Sequence, residues 1–184
     1  MDTFSYPASD GRLLRATRLG TGPAVVLLHA SGSCEGHDHS DSGRLLPLAR
    51  RLTDSYTVIL SEARDADDAA ALAGHLGLAG NAAVGGTGLG AVIALRAAAG
   101  HPELFGAAVV IDAPDVGTDV DLATVSVPTL VVPGSAEELA RALPQGKLAN
   151  LSLCGEEDPA QWMAPAIWAF LTTHLTRRPA RVLV

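Results

Sequence analysis

Short runs of apolar residues alternate along the chain with longer stretches in which apolar positions recur at helical spacing. Residues 3–18 read as two short strands joined by a turn at Ser9-Asp10-Gly11. After the break Gly20-Thr21-Gly22-Pro23, the run Ala24-Val25-Val26-Leu27-Leu28-His29 predicts a strand buried on both faces. Ala30 to Ser42 is polar and reads as a loop, and Leu45, Leu46, Leu48, Ala49 and Leu52 then mark an amphipathic helix. A strand is expected at Tyr56–Leu60 and an Ala-rich helix at Ala66–Leu78, closed by Gly77 or Gly80. A short strand at Ala82–Val84 runs into Gly85-Gly86-Thr87-Gly88-Leu89-Gly90, and a helix continues through Ala99 to stop at Gly100. The second half repeats the alternation. Strands are expected at Ala107–Ile111, Pro128–Val132 and Leu148–Leu153, and helices at Ala136–Leu143 and Gln161–His174. Residues 113–126 read as an irregular connection. This order predicts a single α/β domain over residues 1–184, its mostly parallel sheet covered by helices on both faces.

Composition narrows the function classes. Of 184 residues, 48% are hydrophobic and 18% charged, a balance that excludes disorder. The formal net charge of -7 argues against nucleic acid, which needs a basic stripe; Arg177, Arg178 and Arg181 are a solvated end. Cys34 and Cys154 do not make a disulfide framework. Met1 to Tyr6 has no basic and then apolar segment, and every apolar run is strand-sized, so the expectation is a cytoplasmic protein outside any membrane. The Ala, Gly, Leu and Arg bias points to a bacterial source.

Several strings, taken in order, resemble the α/β-hydrolase family. Gly22-Pro23-Ala24-Val25-Val26-Leu27-Leu28-His29 resembles its third strand, and Val84-Gly85-Gly86-Thr87-Gly88-Leu89-Gly90 its nucleophile elbow. His101-Pro102-Glu103-Leu104-Phe105 resembles the string after the elbow helix, and Val127-Pro128-Thr129-Leu130-Val131-Val132-Pro133-Gly134 the strand that delivers the catalytic acid. The resemblance covers nearly the whole chain. It implies a three-layer α/β-hydrolase-like fold without the usual helical cap, since only a short connection follows Asp112. The site is then open to water.

Carried onto this sequence, the elbow puts Gly85 at the first glycine position and Thr87 at the nucleophile. Threonine is β-branched and poorly suited to the positive φ of such a turn, so a turn that merely lets the helix approach the sheet competes with the catalytic reading. Gly86 and Gly88 would offer backbone N–H groups to a carboxylate or thioester oxygen at the helix N-terminus. A dinucleotide loop is disfavoured, because the glycines do not follow the first strand of a βαβ unit and the acid expected roughly twenty residues on is missing. The loop that holds the family's histidine corresponds to Cys154-Gly155-Glu156-Glu157-Asp158-Pro159, which has acids and no histidine. The resemblance therefore implies a degenerate triad. Glu137 is the nearest match for the acid, with Asp112 the alternative.

One polar cluster stands apart. His29 is followed by Ser31, Ser33, Cys34, Glu35, His37, Asp38, His39 and Asp41, in a loop that this fold puts at the carboxyl edge of the sheet. An exposed polar loop, an acid/base site using His29, His37 or His39, and a metal site built on His37-x-His39 with Cys34 all fit; metal ranks last, because a lone His-x-His is a weak signal. No cofactor is expected. Two functions remain open. One is an enzyme that hydrolyses, transfers or cyclises a small apolar acyl, thioester or cyclic metabolite by acid/base chemistry, as in bacterial secondary metabolism, with Thr87, His37, His39, Glu137 and Asp112 as catalytic candidates and His29, Ser31, Cys34, Gly86 and Gly88 as substrate contacts. The other is a non-catalytic relative that binds a ligand or a protein partner.

Overall fold

A computed structural model describes residues 1–30, 40–114, 120–132, 136–149 and 158–175. The strands are β1 (Asp2–Pro7), β2 (Leu13–Leu19), β3 (Ala24–Ala30), β4 (Thr57–Ala63), β5 (Ala82–Thr87), β6 (Phe105–Ile111), β7 (Thr129–Val132) and β8 (Gly146–Leu148). The helices are α1 (Ser40–Leu52), α2 (Ala66–His75), α3 (Leu89–Gly100), α4 (Ala136–Ala142) and α5 (Pro159–His174). The strands form one sheet in the order β1-β2-β4-β3-β5-β6-β7-β8. β2 runs antiparallel to both its neighbours, β1 and β4, and every later pairing is parallel. β3 is flanked by β4 on one side and β5 on the other. The chain therefore changes direction across the sheet at β3, and such a switch point opens a crevice at the carboxyl ends of the strands.

Alternation along each strand builds two cores. Val26 and Leu28 of β3, Val84 of β5 and Ala108 and Val110 of β6 face one side, where Leu72 of α2, Ala91, Ala94 and Leu95 of α3 and Leu139 of α4 cover them. Val25, Leu27, Ala83, Val109 and Ile111 face the other side, under Leu45, Leu48 and Leu52 of α1 and Ile167, Phe170 and Leu171 of α5. The expected mostly parallel sheet with helices on both faces is what the chain forms. Between β6 and β7 the described residues form only a 3-10 turn at Leu122–Thr124, so no helical cap stands there among them.

Among the boundaries that differ from the expectation, three bear on the site or its support. β4 continues to Ala63, because Ser61 is buried and its hydroxyl meets Tyr6 Oη at 3.0 Å. α5 starts at Pro159, because the Asp158 carboxylate accepts from Ala160 N at 3.1 Å and proline suits the first helical position. β5 runs on through Gly85 and Gly86 to Thr87, paired in register with Val109, Val110 and Ile111 of β6. The last strand described is Gly146–Leu148; residues 150–153 of the expected strand lie outside the described residues.

Candidate active site

The sharp turn from β5 into α3 sits one residue later than expected. Thr87 is still strand, and Gly88 takes φ 57° and ψ -125°. A side chain there is strained, and glycine adopts it freely. The glycines two positions on either side explain why the turn falls here. A Cβ on Gly86 would run into the backbone of Gly90 and stand 2.7 Å from the Leu28 carbonyl oxygen. A Cβ on Gly90 would strike that same carbonyl. Gly86 and Gly90 thus let α3 lie against β5 and β3, and Gly88 stands midway between them. The expected placement of Thr87 at the centre of the elbow is corrected by one residue, and the central position has no side chain. Gly88 N–H donates to the Ile111 carbonyl at 3.2 Å, which ties the turn to the end of β6.

Next to that turn lies a cleft of about 430 Å³, between α1 and α5 and over the carboxyl ends of β5 and β6. Leu45, Pro47 and Leu48 of α1, Ile111 of β6, and Ala160 and Met163 of α5 give it apolar walls. Its polar lining among the described residues is Thr87, Asp112 and Asp158. Thr87 is 5% exposed, and its hydroxyl has no hydrogen-bond partner among the described residues. Asp112, directly after β6, has φ 46° and is the described non-glycine residue in the left-handed region. Such backbone strain persists where surrounding structure holds it, often at ligand sites. Asp158 caps α5 and accepts from the Arg51 guanidinium at 2.8 Å, fastening α5 to α1 at the cleft edge. The Arg51 hydrogen bond holds its carboxyl below the ordinary value of 3.8.

The other candidates divide cleanly. Asp112 joins Thr87 in the cleft. Glu137 does not: it is exposed in the first turn of α4, pairs with Arg141 at 2.7 Å, and α4 packs on the opposite face of the sheet. Of the two expected acids, the chain brings only Asp112 to Thr87. His29 is half-buried at the end of β3, opposite Glu62 in the β3–β4 register. Ser31, Cys34, His37 and His39 lie outside the described residues, as do Glu156 and Glu157. Among the described residues no cluster of three His, Cys, Asp or Glu side chains could hold a metal, and no helix is long and apolar enough to cross a membrane. The remaining histidines sit in packing roles. His75 stacks on Phe4 at 6.0 Å, His101 follows α3 between Asp67 and Glu103, and His174 packs on Phe170. Asp158 and Met163 escaped the sequence reading. The Asp-Pro pair before an apolar helix is a capping signal that could have found the first.

No protein-family model and no curated protein matches the chain in sequence. Solved structures do match it over most of its length. An α/β hydrolase from Sphaerobacter thermophilus is 21% identical with a TM-score of 0.72, covering 92% of this chain and 100% of its own. A thermophilic esterase from Thermogutta terrifontis is 16% identical with a TM-score of 0.73, covering 96% of this chain and 100% of its own. A serine hydrolase involved in carbazole degradation is 16% identical with a TM-score of 0.76, covering 94% of this chain and 99% of its own. The chain has the α/β-hydrolase fold.

Proposed function

We propose that this chain uses the α/β-hydrolase fold to bind a small apolar acyl, thioester or cyclic carbonyl compound without forming a covalent intermediate. The observation that carries the reading is Gly88 at the turn into α3: the residue held in the strained elbow geometry has no atom that can attack a carbonyl. The cleft beside it supports the ligand class. Its volume lies in the range of small-molecule sites, its walls are apolar, and a few polar groups gather at the sheet edge. The esterase and serine hydrolase with which the chain shares its fold make acyl compounds the first class to try.

A catalytic reading rests on a different observation. Thr87 and the backbone-strained Asp112 line one cleft, so a hydroxyl and a carboxylate share the same space, where a histidine from the 31–39 loop would complete an acid/base set. One experiment separates the two. Wild-type protein is mixed with p-nitrophenyl butyrate and followed by nitrophenolate release and intact mass spectrometry. The binding reading expects no burst and no acyl adduct. A stoichiometric burst that Thr87→Ala removes would establish the catalytic reading instead.

A further inference from the structure

Away from the cleft, the α5 face of the sheet carries an amine, an imidazole and a phenyl ring in one cluster. Lys147 Nζ lies 3.1 Å from His174 Nε2 and 6.0 Å from the Phe170 ring centroid, and the His174 and Phe170 rings are 4.6 Å apart. We infer that Lys147 Nζ is a covalent acylation site, at which His174 Nε2 takes the proton as a thioester transfers its acyl group. The inference is independent of the cleft and of what the cleft binds.

Strand register builds the cluster. β8 stands last in the described sheet, and its Lys147 lies opposite Leu130 of β7. Leu130 belongs to the core under α5, so Lys147 points to that same face and its amine ends beside the last turn of α5. Phe170 is buried in that core, His174 is half-buried and Lys147 is exposed, so a reagent can reach the amine. A lysine on an edge strand ordinarily keeps the edge from pairing, which needs its charge and no neighbour. The neighbour sets Lys147 apart. An ammonium only donates hydrogen bonds, so Nε2 at this distance is the accepting, unprotonated nitrogen. Burial first, and then the Lys147 charge, lower the His174 pKa from 6.5, which keeps the ring neutral at neutral pH. Among the described residues Lys147 is the charge that acts on it. Phe170 is at the outer limit of a cation–π contact, so it holds the lysine stem more than it fixes the charge.

The chemistry needs a free amine and then a base. One ammonium proton leaves to water, and the nitrogen lone pair attacks the thioester carbonyl carbon. The C–N bond forms, the C–S bond breaks, and sulfur leaves as thiolate with the bonding pair. A proton on the now cationic nitrogen passes to His174 Nε2 and from there to water. The product is a neutral amide on Lys147, and no atom changes oxidation state. A thioester suits the step because it is uncharged at its reacting end and expels a stable anion. An acyl phosphate would bring further negative charge to a chain of net charge -7.

Lys147 is the chain's single lysine, so the modified side chain is read directly. The full chain is incubated with S-acetyl-N-acetylcysteamine at mildly alkaline pH. Peptide mass spectrometry follows acetylation of Lys147, with the N-terminal amine as internal standard. Relative to that standard, Lys147 of folded wild type should react about tenfold faster than in His174→Gln or in urea-unfolded wild type. Glutamine can accept the hydrogen bond but cannot carry the proton away. The ratio of wild-type to His174→Gln rates cancels the protonation of Lys147 itself. It should be constant above pH 6.5 and fall toward one as pH drops through the lowered imidazole value. Equal Lys147 rates in the three samples overturn the inference. So does a slower His174→Gln whose ratio to wild type does not move with pH, because the ring is then a spacer and not a base. If His174→Gln fails to fold, the pH profile of folded against unfolded wild type decides by the same criterion.

Discussion

Two buried hydroxyls on neighbouring parts of one sheet have opposite surroundings. Ser61, in β4, is 1% exposed; it meets Tyr6 Oη at 3.0 Å and lies within hydrogen-bond reach of the Arg15 and Glu62 carbonyls. Thr87, in β5, is nearly as buried and has no partner among the described residues. The corner beside Ser61 is also supplied, except that Arg64 Nε faces Asp68 as an ion pair without a hydrogen bond. Asp68 is fully buried at the start of α2, accepts from the backbone N of Arg64 at 3.1 Å, and faces the Arg64 guanidinium at 3.2 Å. Its own N–H goes to the Asp65 cap at 2.9 Å. Polar groups around α2 are buried to join chain segments together. The polar group at the end of β5 is buried against a cleft. The difference separates a structural polar site from one left open for something else to complete.

The largest test of this contrast is at α2. Asp68→Ala should leave the Arg64 backbone N–H without its acceptor and the guanidinium with only Asp10 at 3.5 Å, and cost about 3 kcal/mol, less than a fully buried pair because Arg64 is partly exposed. Denaturant melts would show it as a lower midpoint at unchanged slope. A loss below about 1 kcal/mol would mean that the corner is no better satisfied than the cleft.

A smaller and more direct test pairs the two hydroxyls. Ser61→Ala should destabilise by about 1 kcal/mol, because Tyr6 Oη keeps only the longer contact to the Glu62 carbonyl. Thr87→Val should change stability by less than about 0.5 kcal/mol, since the hydroxyl opens onto the cleft and joins no other segment. The difference between the two variants carries the comparison. If both variants lose stability equally, Thr87 is satisfied in solution and the contrast fails.

The smallest effect concerns Asp158, the partnered acid at the cleft rim. Its carboxyl is held down first by the Arg51 hydrogen bond, against an opposing cost of burial that ranks next, and further by the Arg51 charge and the backbone amides of Ala160 and Gln161. A depressed carboxylate contributes stability that is present above its unfolded value near 3.8 and is lost as pH falls through the folded value. A carboxyl NMR titration should find Asp158 below 3.8 in wild type and shifted upward in Arg51→Gln. An unmoved midpoint would show that the ion pair does not persist in solution.

Much of the architecture was legible in the sequence, because it depends on local periodicity. Runs such as Ala24–His29 and Ala107–Ile111 are apolar on both faces, as a covered parallel strand requires. The glycine-rich string was legible as a turn but not in its register. With Gly85, Gly86, Gly88 and Gly90 all present, any of several residues could have stood at its centre. The choice fell to contacts between segments far apart in sequence. Gly86 must face the Gly90 backbone, and Gly90 must pass the Leu28 carbonyl, so the positive φ falls on Gly88 and Thr87 remains in the strand. The acid was undecided for a similar reason. Glu137 and Asp112 are equivalent as residue types, but α4 packs on the face away from the cleft, whereas Asp112 follows the strand paired to Thr87. The sequence by itself determined the order and kind of the elements, since each buries its own face. Tertiary structure decided which hydroxyl was left unpartnered, which acid stood near it and where the elbow turned, because close approach between non-adjacent segments has no local pattern to announce it.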